Sequence, residues 1–210
     1  MPAADEIASI QTPMRLLPVL LVAISFGLPL PGPARANELF QAGPIDEVSV
    51  RTLPAFTVIE TDVTGSLGTA WNKGFRLGAR YAALAHSNLN TPTILTFPDW
   101  EKNPTAEGNK VHLLVQIMLD PLPDLPKVQD ADAKLEQMPS MTVACYAQRG
   151  AYSPANFLLG LQKIEEHLKA QGIPVVGPPR YLYYTDTTWV MASWRVGEVQ
   201  VPIAAGGGRN

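Results

Sequence analysis

Leu53-Pro54-Ala55-Phe56-Thr57-Val58 and, 85 positions later, Met138-Pro139-Ser140-Met141-Thr142-Val143 are the two stretches that decide the fold. They match position by position, and at the same offset Gly65 falls on Gly150. Further along, Phe97-Pro98-Asp99-Trp100 runs parallel to Tyr184-Thr185-Asp186-Thr187-Thr188-Trp189. Leu114-Val115-Gln116-Ile117 likewise runs parallel to Glu198-Val199-Gln200-Val201. Landmarks recurring in one order at nearly the same offset, here with small slips from 85, are the signature of an internal repeat.

Each unit then reads in the same way. In the first, Glu47 to Asp62 alternates and is β-rich, a strand or strand pair bent at Pro54. Thr64-Gly65-Ser66 turns into a helix from about Leu67 to His86, with Leu67, Trp71, Phe75, Gly78 and Ala82 along one stripe. Thr93 to Phe97 and Val111 to Leu119 are strands around a polar loop at 103–109. In the second, Lys134 to Gln148 is the opening strand. Ser153-Pro154 then supplies an N-cap and a first-turn proline, and Gly172 stands where a left-handed C-cap belongs. The apolar face of that helix is Phe157, Leu158, Leu161, Ile164 and Leu168; Arg180 to Thr185 and Glu198 to Ile203 close the unit.

The expectation is an α+β fold: two tandem β-α-β-β (SH2-like) repeats with pseudo-twofold symmetry, antiparallel sheets packed by helices, and a cleft between the repeats. Repeat one spans 46–120, a Pro- and Asp-rich linker 121–133, repeat two 134–203, and a flexible tail 204–210.

Ahead of this lies a different kind of segment. Met14-Arg15, the apolar Leu16 to Leu30, the breaker Pro31-Gly32-Pro33 and Ala34-Arg35-Ala36 have the order of a signal peptide over 1–36, with Met14 as the expected start. The apolar run is shorter than the roughly 20 residues of a bilayer span. A short lead-in, 37–45, follows, and the expected location is the periplasm or the exterior.

Charge and composition narrow the function. Of the 210 residues 46% are apolar and 17% charged, with a net charge of −3. The 16 Lys and Arg are scattered singly, which argues against a nucleic-acid partner. Cys145 is the sole cysteine, so no internal disulfide forms, and it is expected to be a small buried hydrophobe. His86, His112 and His167 have no H-x-x-x-H spacing, so no metal site is expected. One of them could still be an axial haem ligand, with His167 the most exposed candidate. No nucleophile elbow or phosphate loop occurs, and the reading leans away from an enzyme.

What remains is a binding surface. Glu198, at the head of the strand Val199-Gln200-Val201-Pro202-Ile203, is the charged candidate, against the plainer reading of a solvated carboxylate opposite Arg195. Desolvated, it would attract a cation or a hydrogen-bond donor. Tyr152, Tyr181, Tyr183, Trp189 and Trp71 offer flat walls for an aromatic or cationic ligand, with Tyr181 and Tyr183 on one face of their strand and Tyr184 on the other.

Leu53-Pro54-Ala55, Arg149-Gly150-Ala151-Tyr152, Gly177-Pro178-Pro179, Tyr181-Leu182-Tyr183-Tyr184 and Gly197-Glu198-Val199-Gln200-Val201-Pro202-Ile203 together resemble the GyrI-like effector-binding domains of bacterial transcription regulators. Arg195-Val196-Gly197-Glu198-Val199 is also similar to a segment of the related SOUL haem-binding proteins. The resemblance implies a two-repeat, barrel-like domain with an aromatic pocket and a glutamate, here Glu198, that meets lipophilic cations. It also brings two alternatives: a haem carrier of SOUL type, or a hydrolase of electrophilic small molecules in which the glutamate is acid or base.

Overall fold

The computed structural model describes residues 40–84, 90–100, 111–118, 133–184 and 190–205. The expected signal segment 1–36, His86, the expected loop at 103–109, the expected linker up to 132 and Trp189 lie outside them.

Eight strands form a single antiparallel sheet. They are β1 (Val48–Leu53), β2 (Phe56–Gly65), β3 (Asn90–Thr96), β4 (Val111–Met118), β5 (Ala133–Met138), β6 (Met141–Arg149), β7 (Arg180–Tyr183) and β8 (Val196–Ile203). Two helices, α1 (Leu67–Leu84) and α2 (Pro154–Gln171), follow β2 and β6. Across the sheet the strands run β1-β6-β8-β7-β3-β4-β2-β5. This is one sheet where separate sheets were expected, because β7 pairs with β3 in register Thr93–Tyr183 to Thr96–Arg180 and joins the halves.

That order forces the sheet to curl. β1 and β2 stand six places apart, yet Pro54-Ala55 alone connects them; β5 and β6, also six apart, are connected by Pro139-Ser140. Six strand spacings in a flat sheet would measure about 28 Å, whereas a two-residue link reaches about 11 Å. Curling into a half-barrel brings the two Pro corners together, and Ser140 Oγ donates to Leu53 O at 2.9 Å between them. The first opening region is thus the strand pair bent at Pro54, and the second, expected as one strand over Lys134 to Gln148, is also two strands that turn at a proline; in neither pair do the two strands bond to each other. The second begins at Ala133, one residue inside the expected linker.

The inner face holds Leu53, Phe56, Val58, Ile94, Met118, Val143, Cys145 and Leu182 in one cluster, drawn from both ends of the strand order. Phe40, from the segment before β1, packs into it edge-on to Phe56 at 4.9 Å. The outer face carries the helices: α1 lies on β2 and β4, α2 on β6 and β8, and the central strands β3 and β7 run between them.

α1 lies very close to its strands. The residues that meet the sheet are Ala70, Gly74, Gly78 and Ala82, while Leu67, Trp71 and Phe75 from the expected stripe flank this contact half-buried. A Cβ on Gly74 would stand 2.5 Å from Val115 Cγ2, so only glycine permits that approach. α2 starts as its sequence predicts: Ser153 Oγ accepts from Asn156 N at 3.2 Å and Pro154 opens the first turn. It ends at Gly172 with φ 64°. Its buried face is Phe157, Gly160, Leu161, Ile164 and Leu168; Leu158, expected on that face, is exposed because it projects a turn-edge away from the sheet. No helix among the described residues is long and apolar enough to cross a membrane.

Candidate functional site

Side chains alternate across a strand, and that alternation divides the expected site residues between the two faces of the sheet. Tyr181 and Tyr183 point outward, opposite Val199 and Gly197 of β8. Glu198, opposite Leu182 and Ala147, points inward. The tyrosines and the glutamate are thus on adjacent strands but separated by the thickness of the sheet.

Outside, between the helices, the aromatics converge. Tyr152, in the turn before α2, stacks on Tyr183 with centroids 3.9 Å apart and planes within 4°. Trp71 of α1 comes to the same ring tilted by 50° at 6.0 Å and stacks on Phe75 at 5.7 Å. Tyr181 lies edge-on beneath, 5.0 Å from Tyr183 and 6.2 Å from Tyr152. Burial pushes the Tyr181 and Tyr183 phenols far above their ordinary range, so both are neutral donors. Tyr152 is anchored through its hydroxyl to Val196 O at 3.0 Å. Trp71 Nε1 is buried with no hydrogen-bond partner among the described residues, although the side chain as a whole is half-buried.

Inside, a polar seam crosses the apolar face. Glu198 is fully buried and accepts four hydrogen bonds: from Gly43 N at 2.6 Å, Gln200 Nε2 at 2.6 Å, Tyr184 Oη at 3.2 Å and Arg51 Nη2 in an ion pair. The plainer expectation placed Arg195 against it, but Arg195 Nε donates to Val190 O at 3.1 Å. Arg51 also holds Tyr184 Oη at 3.1 Å and Gln41 O, so the segment 40–43 lies over the carboxylate. Gln200 continues the seam by accepting from Arg180 Nη2 at 2.7 Å. In the other half, Thr96 Oγ1 donates to Gln116 Oε1 at 3.2 Å and Gln116 Nε2 to Glu60 Oε2 at 2.6 Å, with Lys134 Nζ on Glu60 at 3.1 Å.

Arg180 is the least satisfied member. It is 2% exposed, and its Nε and Nη1 have no hydrogen-bond partner among the described residues. Leaving a buried donor unmade costs about 1–3 kcal/mol and more when it is charged. Burial pushes its pKa down to about 10, still well above neutrality. Cys145, on the same face, has its thiol pushed up to about 12 by burial, with the Glu198 charge adding to the effect.

Arg51 and Arg180 are functional candidates that the sequence reading passed over. The available signal was the i, i+2 step from Arg180 to Leu182, which commits an arginine to a buried face. His112 of β4 lies between Asp62 and Asp99, at 2.9 and 3.4 Å, and His167 is half-buried on α2. Among the described residues no three His, Cys, Asp or Glu side chains are grouped to hold a metal.

No family model matches the chain, and no curated protein matches it. Solved structures do. The C-terminal domain of EcmrR matches with a TM-score of 0.57 at 12% identity, over 75% of this chain and 97% of that one. A hydrolase from Listeria innocua matches with a TM-score of 0.53 at 9% identity, over 77% and 93%. The protein SAV2435 bound to tetraphenylphosphonium matches with a TM-score of 0.50 at 16% identity, over 76% and 94%. At these identities the likeness shows the architecture: the chain has the fold of the GyrI-like effector-binding domains.

Proposed function

We propose that this chain binds a small molecule in the strip between α1 and α2, over the central strands, and that the ligand is aromatic, cationic or otherwise hydrophobic. The observation that carries the reading is the aromatic set itself: Tyr152 stacked on Tyr183, with Trp71 closing from the opposite helix. Such a set combines flat apolar area with polar edges, and the unpartnered Trp71 Nε1 adds a donor for a ligand acceptor. Two relatives of the fold point the same way, one a tetraphenylphosphonium complex and one a hydrolase.

The same reading takes the domain as two tandem repeats with this strip as the cleft between them. Supporting it, the strand order has the same form from either edge: β1-β6-β8-β7 inward from one, β5-β2-β4-β3 from the other. We further propose export of the mature protein, on the strength of the signal-like order at 1–36. The four donors already on Glu198 favour a structural anion over a free catalytic base.

Titration of tetraphenylphosphonium against tryptophan fluorescence tests the ligand site. Saturable quenching should weaken roughly five- to thirty-fold in Trp71→Ala, the worth of one cation–π contact of about 1–2 kcal/mol. Unchanged affinity in that variant would remove the strip from consideration. Hemin is titrated beside it: a Soret shift abolished by His167→Ala would transfer the assignment to haem.

A further inference from the structure

The inner face of the half-barrel holds a second chemistry, independent of the aromatic strip on the other side of the sheet. Around Glu198 its charged groups are Arg51, Arg180 and Glu198, two guanidinium groups against one carboxylate. Glu198 is already closed by Arg51, Tyr184, Gly43 and Gln200. The Gln200 amide is pinned at both ends, its oxygen on Arg180 and its nitrogen on Glu198, so it cannot turn to offer Arg180 a second acceptor. Across the sheet axis, Thr96 stands opposite Arg180 in register and donates to Gln116, but its oxygen meets neither Nε nor Nη1 of Arg180. Arg180 is therefore a buried cation with Nε and Nη1 unmet.

An arginine keeps its proton at neutral pH, and an interior charge of this kind is retained where an anion meets it. The adjoining side chains on the same face are Leu182 and Ile94, both fully buried and apolar. We propose that the inner face is a binding site for a small organic carboxylate, with the carboxylate on Arg180 and the apolar remainder along Leu182 and Ile94. The polarity is the reverse of a cation site, because Arg51 already supplies the cation for Glu198.

Calorimetric titration of the purified chain with benzoate and with neutral benzamide tests this, beside the same titrations of Arg180→Gln. Saturable benzoate binding is expected, at least roughly ten-fold tighter than benzamide, and lost in Arg180→Gln. Should that variant fail to fold, the arginine Nε–Hε spectrum of the unaltered chain decides: the Arg180 resonance should move with benzoate and stay in place with benzamide. Benzoate that binds no better than benzamide, or whose binding survives Arg180→Gln, overturns the proposal. Displacement of benzoate by equimolar chloride overturns the carboxylate assignment.

Discussion

Arg51 on the edge strand β1 closes an ion pair on Glu198, two strands away and fully buried, and it is the one charged side chain that meets this carboxylate among the described residues. The two residues are 147 positions apart in the chain, so the pair ties the entry of the domain to its last strand.

Removing one member strands the other. Arg51→Met should destabilise the chain by about 3 kcal/mol, the lower end for breaking a buried pair because Arg51 is itself 24% exposed. Arg51→Met combined with Glu198→Gln should recover part of that loss, since no uncompensated carboxylate is left inside. Urea unfolding of the four chains of the cycle measures it. A double variant less stable than Arg51→Met would contradict the pairing.

The packing of α1 gives a sharper comparison between two glycines. At Gly74 an added Cβ meets Val115 Cγ2 at 2.5 Å, Thr61 Oγ1 at 2.8 Å and Val115 Cβ at 2.8 Å, all held by β-branched side chains. At Gly78 the close atom is Ile117 Cδ1 at 2.6 Å, the far end of a side chain that can turn aside. Helix propensity favours alanine at both by about 1 kcal/mol. Gly74→Ala should therefore cost about 1–3 kcal/mol net, and Gly78→Ala should be close to neutral. Thermal unfolding of the two variants checks the order.

Much of the architecture was legible because it is written in local signals. The bend at Pro54, the Ser153-Pro154 cap and Gly172 each fix backbone geometry within a few residues, whereas the matching corner at Pro139 was passed over inside an expected single strand. The partition of faces was legible too: the alternation that separated Tyr181 and Tyr183 from Tyr184 holds in three dimensions. What could not be read is which strand borders which. β1 pairs with β6 and β5 with β2, an exchange that no local pattern encodes. Hence Arg51 could not be matched to Glu198. Nor could Glu198 be separated from Tyr183, since the register that sets Glu198 opposite Leu182 is a long-range fact. Gln116 and Gln200 were visible as matched positions of the expected repeat, but not as the two amides of one polar seam.

Alkaline stability follows from the inner and outer phenols and the thiol. Cys145 is held neutral by burial, its pKa moving from 9.0 to about 12. Tyr181, Tyr183 and Tyr184 are displaced upward from 10.0, also chiefly by burial. A group whose folded pKa lies above its unfolded one contributes stability in full below the unfolded value and loses it as pH rises toward the folded value. Unfolding free energy should therefore be flat below pH 9, fall from there as unfolded Cys145 ionises, and steepen above pH 10 as the tyrosines join. Cys145→Ala should remove the first part of the slope. A urea midpoint that does not move between pH 9 and 11 would contradict burial of these groups.

The segment before β1 is the cover of the inner face, and Phe40 is its fastener. The ring is 3% exposed and edge-on to Phe56, while three residues on Gly43 N–H reaches Glu198. Phe40→Ala takes away the apolar anchor and leaves that amide bond and the Arg51 contact to Gln41 O to hold the strand of chain in place. Deleting a buried phenyl costs about 3–5 kcal/mol where the cavity cannot collapse, but a segment outside the sheet can lift away instead of leaving a void. The expected loss is therefore smaller, about 2 kcal/mol, and it should be local. Hydrogen exchange separates the two cases. In Phe40→Ala the Gly43 amide should lose most of its protection while the amides of β6 and β8 keep theirs. Equal loss across all three would mean that the segment is an integral part of the core and not a cover over Glu198.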